Sequence, residues 1–257
     1  MAVTSARRLG DLAARAFVVA LAAIAVGWAA STLPLMARQR AVVNIAKHII
    51  QGDAFKDDAL NAMLPVVDAQ QDGKWTHPSV LSSAAIIKLR VLERAIADGD
   101  QAAIDRQMTA VNRTIRISLT ETPADPFLWL VLFWLENTQN GFSRDHLKYL
   151  QMSYALGPNE GWIAVRRNRL ALAVFPQLTP ELREHALVEF ARLVDSNFIA
   201  EAADILTGPG WPIRGQLLPR LRDVADVNRQ IFAKRVYRLG YDVVVPGVER
   251  PEFRPWN

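Results

Sequence analysis

The run AFVVALAAIAVGWAASTLPLM, Ala16 to Met36, is uncharged over 21 consecutive positions and constrains the chain more than any other feature. At about 1.5 Å of rise per residue, such a helix is long enough to cross a hydrocarbon core of about 30 Å. Arg7, Arg8 and Arg15 precede it, Arg38 and Arg40 follow it, and Trp28 lies toward one end. These are the residue types that settle at a membrane boundary. Residues 1–15 therefore read as a basic N-terminal tail and residues 16–36 as a transmembrane signal anchor. A cleaved signal is one rival, with its apolar core at Phe17 to Val26 and the small residues Gly27 and Ala29 before a cut. A buried soluble helix is the other, although it would need cover on every face. Arg38, Arg40 and Lys47 after the run balance the three arginines before it. Orientation then rests on a short basic tail staying in the cytoplasm, which places the remaining domain outside the inner (cytoplasmic) membrane, in the periplasm of a Gram-negative cell. Ala23, Gly27 and Ser31 recur every fourth residue, a spacing expected by chance in so alanine-rich a run.

The rest of the chain has a globular balance: of 257 residues, 51% are hydrophobic and 22% charged. It contains no cysteine, which excludes disulfides, thiolate metal sites and a cysteine nucleophile. The net charge of +4 is concentrated at the two ends, and residues 207–257 hold nine basic residues against five acidic ones. Neither end has the dense Lys/Arg clustering of a nucleic-acid binder, so no nucleic-acid partner is expected.

Apolar residues beyond the anchor recur at helical spacing. Ile104, Met108, Val111 and Ile115 form one stripe and Val224, Val227 and Ile231 another, each predicting a helix with one buried face. A short extended piece is expected only at Asp242 to Gly247, where β-branched residues cluster. Helices are predicted from about Met36 to Gln51, continuing the membrane helix and ended by Gly52, and from Phe55 to Ala69, bent at Pro65. The next opens at Pro78 and turns at Asp98-Gly99-Asp100 into another that ends near Leu119. Further helices are predicted at Pro126 to Asn137, Arg144 to Leu156, and Pro158 to about Phe175. Thr179 caps the next, with Pro180 at its first position. TGPGWP precedes a last long helix, and residues 241–257 form a proline-broken arm. The fold class is all-α, with helical hairpins stacked over residues 37–240 because no single pair can bury its own apolar face.

Two prolines 35 residues apart, Pro123 and Pro158, frame a unit that resembles the tetratricopeptide repeat, a helix hairpin of about 34 residues. LGPNE, Leu156 to Glu160, is similar to the closing joint of such a unit, with Trp129 at its large position and Leu132 at a usual leucine position. The resemblance is degenerate. Phe133 stands where a small residue is usual, Asp145 and His146 stand where an alanine is, Trp162 follows Pro158 too closely, and no proline recurs near Leu193. It implies a TPR-like α-solenoid in which Trp129, Gly157, Pro158, Glu160 and Trp162 shape repeat joints. Members of that family bind peptides or other proteins.

Candidate chemistry is sparse. His185 and Glu189 share a helix face but supply only two ligands, too few for zinc, and read as a solvated face. No nucleophile elbow or phosphate loop occurs. No catalytic, cofactor or metal residue is therefore assigned, and no cofactor is expected. Arg166 and Arg169 are surface neighbours on the predicted helix, while Arg167 is turned about 100° from Arg166. Arg166 and Arg169 are the candidate partner-binding pair, suited to a carboxylate, a phosphate or an anionic polymer. Otherwise Arg166, Arg167 and Arg169 are solvated or pair with acids of the adjacent hairpin such as Glu160, Glu181 or Glu184. Gly157 is expected to end a helix in the left-handed conformation, Pro158 to begin the next, and Glu160 to sit in its first turn. Trp129 reads as core, and the C-terminal ERPEFRPW as a segment that packs on its own domain or docks on a neighbour. The expected function is a membrane-anchored, non-enzymatic scaffold that binds other membrane or envelope proteins, in a setting such as surface polysaccharide synthesis or export. A membrane-tethered extracytoplasmic hydrolase is the alternative.

Overall fold

The computed structural model describes residues 2–53, 55, 57–71 and 78–249, with side chains from Arg15 onward except at 35, 57, 58, 70, 71 and 78. The linker at 72–77, the arm beyond Glu249 and the side chains of Arg7 and Arg8 lie outside the described residues. Among the described residues eleven α-helices follow one another: α1 (Ala2–Gln51), α2 (Asp57–Gln71), α3 (Pro78–Asp98), α4 (Gln101–Glu121), α5 (Pro126–Asn140), α6 (Leu147–Leu156), α7 (Gly161–Ala173), α8 (Pro180–Asp195), α9 (Ile199–Thr207), α10 (Arg214–Leu217) and α11 (Asp226–Arg238). Short 3-10 turns precede α6 and flank α10, and no strand occurs among the described residues. The all-α class is what the periodicity implies. The chain divides inside α4 into two compact units, residues 1–107 and 108–257.

In the first unit, α1 changes character along its length. Its apolar stretch near the N-terminus is long and hydrophobic enough to cross a membrane, and none of that window is buried by protein: Phe17 is 65% and Trp28 69% exposed. Pro34 lies inside the helix, where it cannot donate to the preceding turn. The hydroxyls of Ser31 and Thr32 donate to the Trp28 carbonyl at 2.8 and 2.9 Å, so their own polarity is met within the helix. Below this stretch the same helix becomes one-sided. Gln39, Val42 and Ala46 are buried, and Val42 and Ala46 form a core with Val67 of α2 and Val80, Ala84 and Ile87 of α3. Lys88 of α3, itself buried, reaches Asp68 of α2 at 2.6 Å. Gly52, at φ +87°, ends α1, and Gly99, at φ +71°, makes the turn between α3 and α4, a conformation that favours glycine.

In the second unit the helices pack as neighbours in pairs. α5 packs on α6 and α7 on α8; α7 also touches α5 on one side and α9 on the other, and α11 packs on α8 and α9. This arrangement is compatible with a helical repeat. Asp125 caps α5 by accepting from the backbone N–H groups of Phe127 (2.9 Å) and Leu128 (3.2 Å), with Pro126 at the first helical position. Thr179 caps α8 through Leu182 N–H at 3.3 Å, ahead of Pro180, as the sequence implies. α5 is buried over most of its surface because PFLWLVLFWL is apolar all round. The Phe190 and Phe232 rings meet edge to face at 5.9 Å, which ties α8 to α11.

Two expectations need correction here. α11 does not bury the Val224, Val227 and Ile231 stripe: Val227 is 61% and Ile231 44% exposed, and the buried residues of α11 are Phe232 and Val236. Val224 is buried but precedes the helix, so the stripe joined residues of two different elements. The last helix is also shorter than expected, since the chain after α9 is broken into 3-10 turns and α10. The described part of the arm packs on its own domain. Val245 is buried, Tyr241 meets Trp211 at 4.8 Å, and Arg229 donates to the Pro246 carbonyl at 3.0 Å.

Candidate functional site

The joint between α6 and α7 builds the most polar interior of the chain. α7 buries Ile163, Ala164, Ala171 and Leu172, and the same face carries Arg167 and Asn168, both with no exposed surface. Arg167 projects across the end of α6 toward Glu189 of α8. Its Nε and Nη2 donate to Glu189 Oε1 at 2.9 and 2.5 Å. Nη1 donates to the Ser153 carbonyl at 2.7 Å and its hydroxyl at 3.2 Å, and Nη2 to the Gly157 carbonyl at 3.0 Å. Five hydrogen bonds match the five N–H groups of a guanidinium. A cation at the carbonyl end of α6 is also favoured by the helix dipole.

Glu189 is surrounded by donors. Besides Arg167, its Oε2 accepts from the Tyr154 hydroxyl at 3.0 Å and from Asn168 Nδ2 at 3.5 Å. Arg167 also lies over the Tyr154 ring, 4.3 Å from its centre. Burial pushes the Glu189 carboxyl above its ordinary value, and the Arg167 guanidinium, with Tyr154 and Asn168, pulls against that rise. Burial and the neighbouring carboxylate hold the Tyr154 phenol well above 10. Asn168 also donates to the Ala186 carbonyl at 2.7 Å, while its Oδ1 has no partner. The cluster links α6, α7 and α8 through buried hydrogen bonds. Such groups are costly to bury and costly to separate once buried.

Arg167 and Glu189 correct two readings. Arg167 is not solvated and does not pair with Glu160, Glu181 or Glu184; Glu184 instead binds Arg220 through two contacts of 2.6 Å. Glu189 does not belong to a solvated face, and His185, which is exposed, stacks on Tyr154 at 5.2 Å rather than joining Glu189 toward a common ligand. The signal was present in the sequence. Arg167 stands four residues from both Ile163 and Ala171, and Glu189 four from Leu193 and three from Ala186, so both occupy polar places on apolar stripes.

The joint residues take positions that differ from their expected ones. Gly157 adopts φ −139°, not the left-handed conformation. It must be glycine for another reason: an added Cβ would lie 2.6 Å from Pro126 Cγ at the start of α5. Pro158 sits in the turn and does not begin α7, which starts at Gly161 with Glu160 as its N-cap. Glu160 makes no side-chain cap; its carbonyl accepts from Ile163 and Ala164 at 3.0 and 2.8 Å. Trp162 is half-buried against Phe127 at 4.7 Å, joining α7 to α5. Trp129 is half-buried, donates to the Pro123 carbonyl at 2.7 Å and stacks on Tyr149 at 6.0 Å, so it is not a fully enclosed core residue.

Arg166 and Arg169 are both exposed on the outer face of α7. Arg166 donates to the Trp162 carbonyl at 3.1 Å and lies 5.7 Å from that indole ring's centre. A shallow cleft of about 130 Å³ lies beside the buried cluster, lined by Asn159, Gly161, Glu189, Arg192, Ser196 and Phe198. Another, of about 330 Å³ in the first unit, holds Asn61, Arg94, Asp98, Asp100 and Arg106, with Arg94 and Asp98 paired at 3.3 Å. Among the described residues no group of three or more His, Asp or Glu is placed to hold a metal ion.

The chain defines an all-helical protein with one apolar helix near its N-terminus that is long enough to span a membrane. In comparison with known proteins it matches no family model, no curated protein and no solved structure.

Proposed function

We propose that the chain is a membrane-anchored, non-enzymatic scaffold of the cell envelope, held by residues 16–36 and binding another protein through its second unit. The observation that carries this reading is the use to which the buried polar groups are put. Arg167, Glu189, Tyr154 and Ser153 bond to one another and tie α6, α7 and α8 together, so the guanidinium and the Glu189 carboxylate, although the latter borders a shallow cleft, are engaged in packing. Arg166 and Arg169 are left on the outer face of α7, where a partner's carboxylate or phosphate is reachable. The neighbour-to-neighbour packing of α5, α7 and α9 supports a TPR-like stack in this unit, and the exposed apolar helix supports anchorage in the inner membrane with the domain on its outer side.

The test is site-specific photocrosslinking in the membranes of cells that make the protein. A crosslinker at Arg169 should give one discrete protein adduct, diminished when Arg166 is changed to Glu. An unlabelled chain, together with hydrolase activity in the purified full-length protein, would favour the tethered-enzyme alternative.

A further inference from the structure

The outward face of α11 has no role in the fold. Phe232 and Val236 hold the helix to α8 and α9, and Arg229 turns to the same side, donating to the Pro246 and Arg222 carbonyls at 3.0 and 3.1 Å. On the opposite side, Val227, Ile231, Lys234 and Arg238 fall at spacings of four, three and four residues, with Gln230 and Arg235 beside them. All six are exposed, Val227 at 61% and Ile231 at 44%. The single acid of α11, Asp226, is occupied by Arg229 at 2.5 Å. An aliphatic stripe at one end, three cations toward the other and no free acid make a helix face with a definite complement: an apolar layer under a negatively charged one.

We infer that this face of α11 is a second membrane contact, in which Val227 and Ile231 enter the headgroup boundary while Lys234, Arg235 and Arg238 meet anionic phospholipid. The charge complementarity is that of an interfacial amphipathic helix, in which buried apolar area and attraction to anionic headgroups act together. Each cation near such a surface strengthens binding by roughly fivefold, so three contribute about a hundredfold. The inference rests on the membrane attachment proposed for residues 16–36, which would keep the unit at high local concentration beside the lipid.

Because the chain has no cysteine, a single Val227→Cys substitution places one environment-sensitive fluorophore on this face of the full-length protein. The labelled protein is reconstituted into phosphatidylcholine vesicles with and without phosphatidylglycerol, and resistance to alkaline extraction is scored in parallel. The expected result is an emission blue shift with phosphatidylglycerol alone. It should be reversed by high salt and lost in a Lys234→Glu, Arg235→Glu, Arg238→Glu variant, but kept in the variant carrying Lys234→Arg, Arg235→Lys and Arg238→Lys. No shift in a chain that resists extraction overturns the second contact and leaves the anchor standing. A chain that is extracted overturns the anchor, and the probe's response to added anionic vesicles still decides the contact. A shift already present in detergent overturns the lipid assignment. Loss of that shift on deleting residues 250–257 would then assign the face to the chain's own end, and its dependence on protein concentration would assign it to a second copy.

Discussion

Arg167 is the residue on which the second unit turns. It is fully buried, and removing it leaves the Gly157 carbonyl without its donor, the Ser153 carbonyl with only the Gly157 N–H at 3.2 Å, and Glu189 without its counter-charge. Arg167→Met should therefore cost about 3–5 kcal/mol, while the double variant Arg167→Met, Glu189→Met should recover most of it, because a buried pair replaced by apolar side chains is close to neutral. Denaturant unfolding of both variants checks this. The pH dependence has a definite sign. Burial already lifts the Glu189 carboxyl above 4.5, and losing Arg167 removes the strongest influence that lowers it. A carboxyl raised by folding binds its proton more tightly in the folded chain, so its contribution is full below about 4.5 and lost as pH rises through the raised value. The deficit of Arg167→Met should be smallest in acid and widen toward neutral pH. Gly157→Ala should cost about 1–3 kcal/mol by driving a methyl group into Pro126. A smaller loss after Pro126→Ala is added would identify that contact as the cause.

At the level of elements, the sequence was informative where local chemistry decides and uninformative where a partner across space does. Asp125, Thr179 and Pro180 mark helix starts through bonds within a few residues, so those boundaries were readable. Gly157 looked like a left-handed terminator because glycine commonly ends helices that way, but its requirement comes from Pro126, 31 positions away in sequence. Arg167 and Glu189 resemble surface charges in the sequence because each lies on a helix rich in other charges. Only their place between apolar neighbours distinguished them. The stripe of Val224, Val227 and Ile231 does not mark one buried face because it crosses from a 3-10 turn into α11, which lets its helical phase change. The structure makes a contrast that unfolding measurements can resolve. Phe232→Ala should cost about 3–5 kcal/mol, whereas Val227→Ser and Ile231→Ser should change stability by no more than about 0.5 kcal/mol. Equal losses would mean that α11 buries its other face.

For the molecule as a whole, α1 carries two kinds of surface in one helix. Its apolar stretch exposes every face, and its lower part buries Val42 and Ala46 against α2 and α3, so the core of the first unit and the apolar stretch share one continuous helix. The length and polarity of that stretch were plain in the sequence because a membrane span is a matter of composition over a fixed distance. The proposed partner surface is legible only as the exposed pair Arg166 and Arg169, since affinity depends on a second molecule. The measurement that tests this account most directly is affinity purification of the full-length chain from detergent-solubilised membranes, with wild type compared to an Arg166→Glu, Arg169→Glu variant of equal stability. The account predicts that the wild-type chain resists alkaline extraction and retains a stoichiometric protein partner that the variant loses. A wild-type chain that washes from the membrane and purifies alone would contradict it.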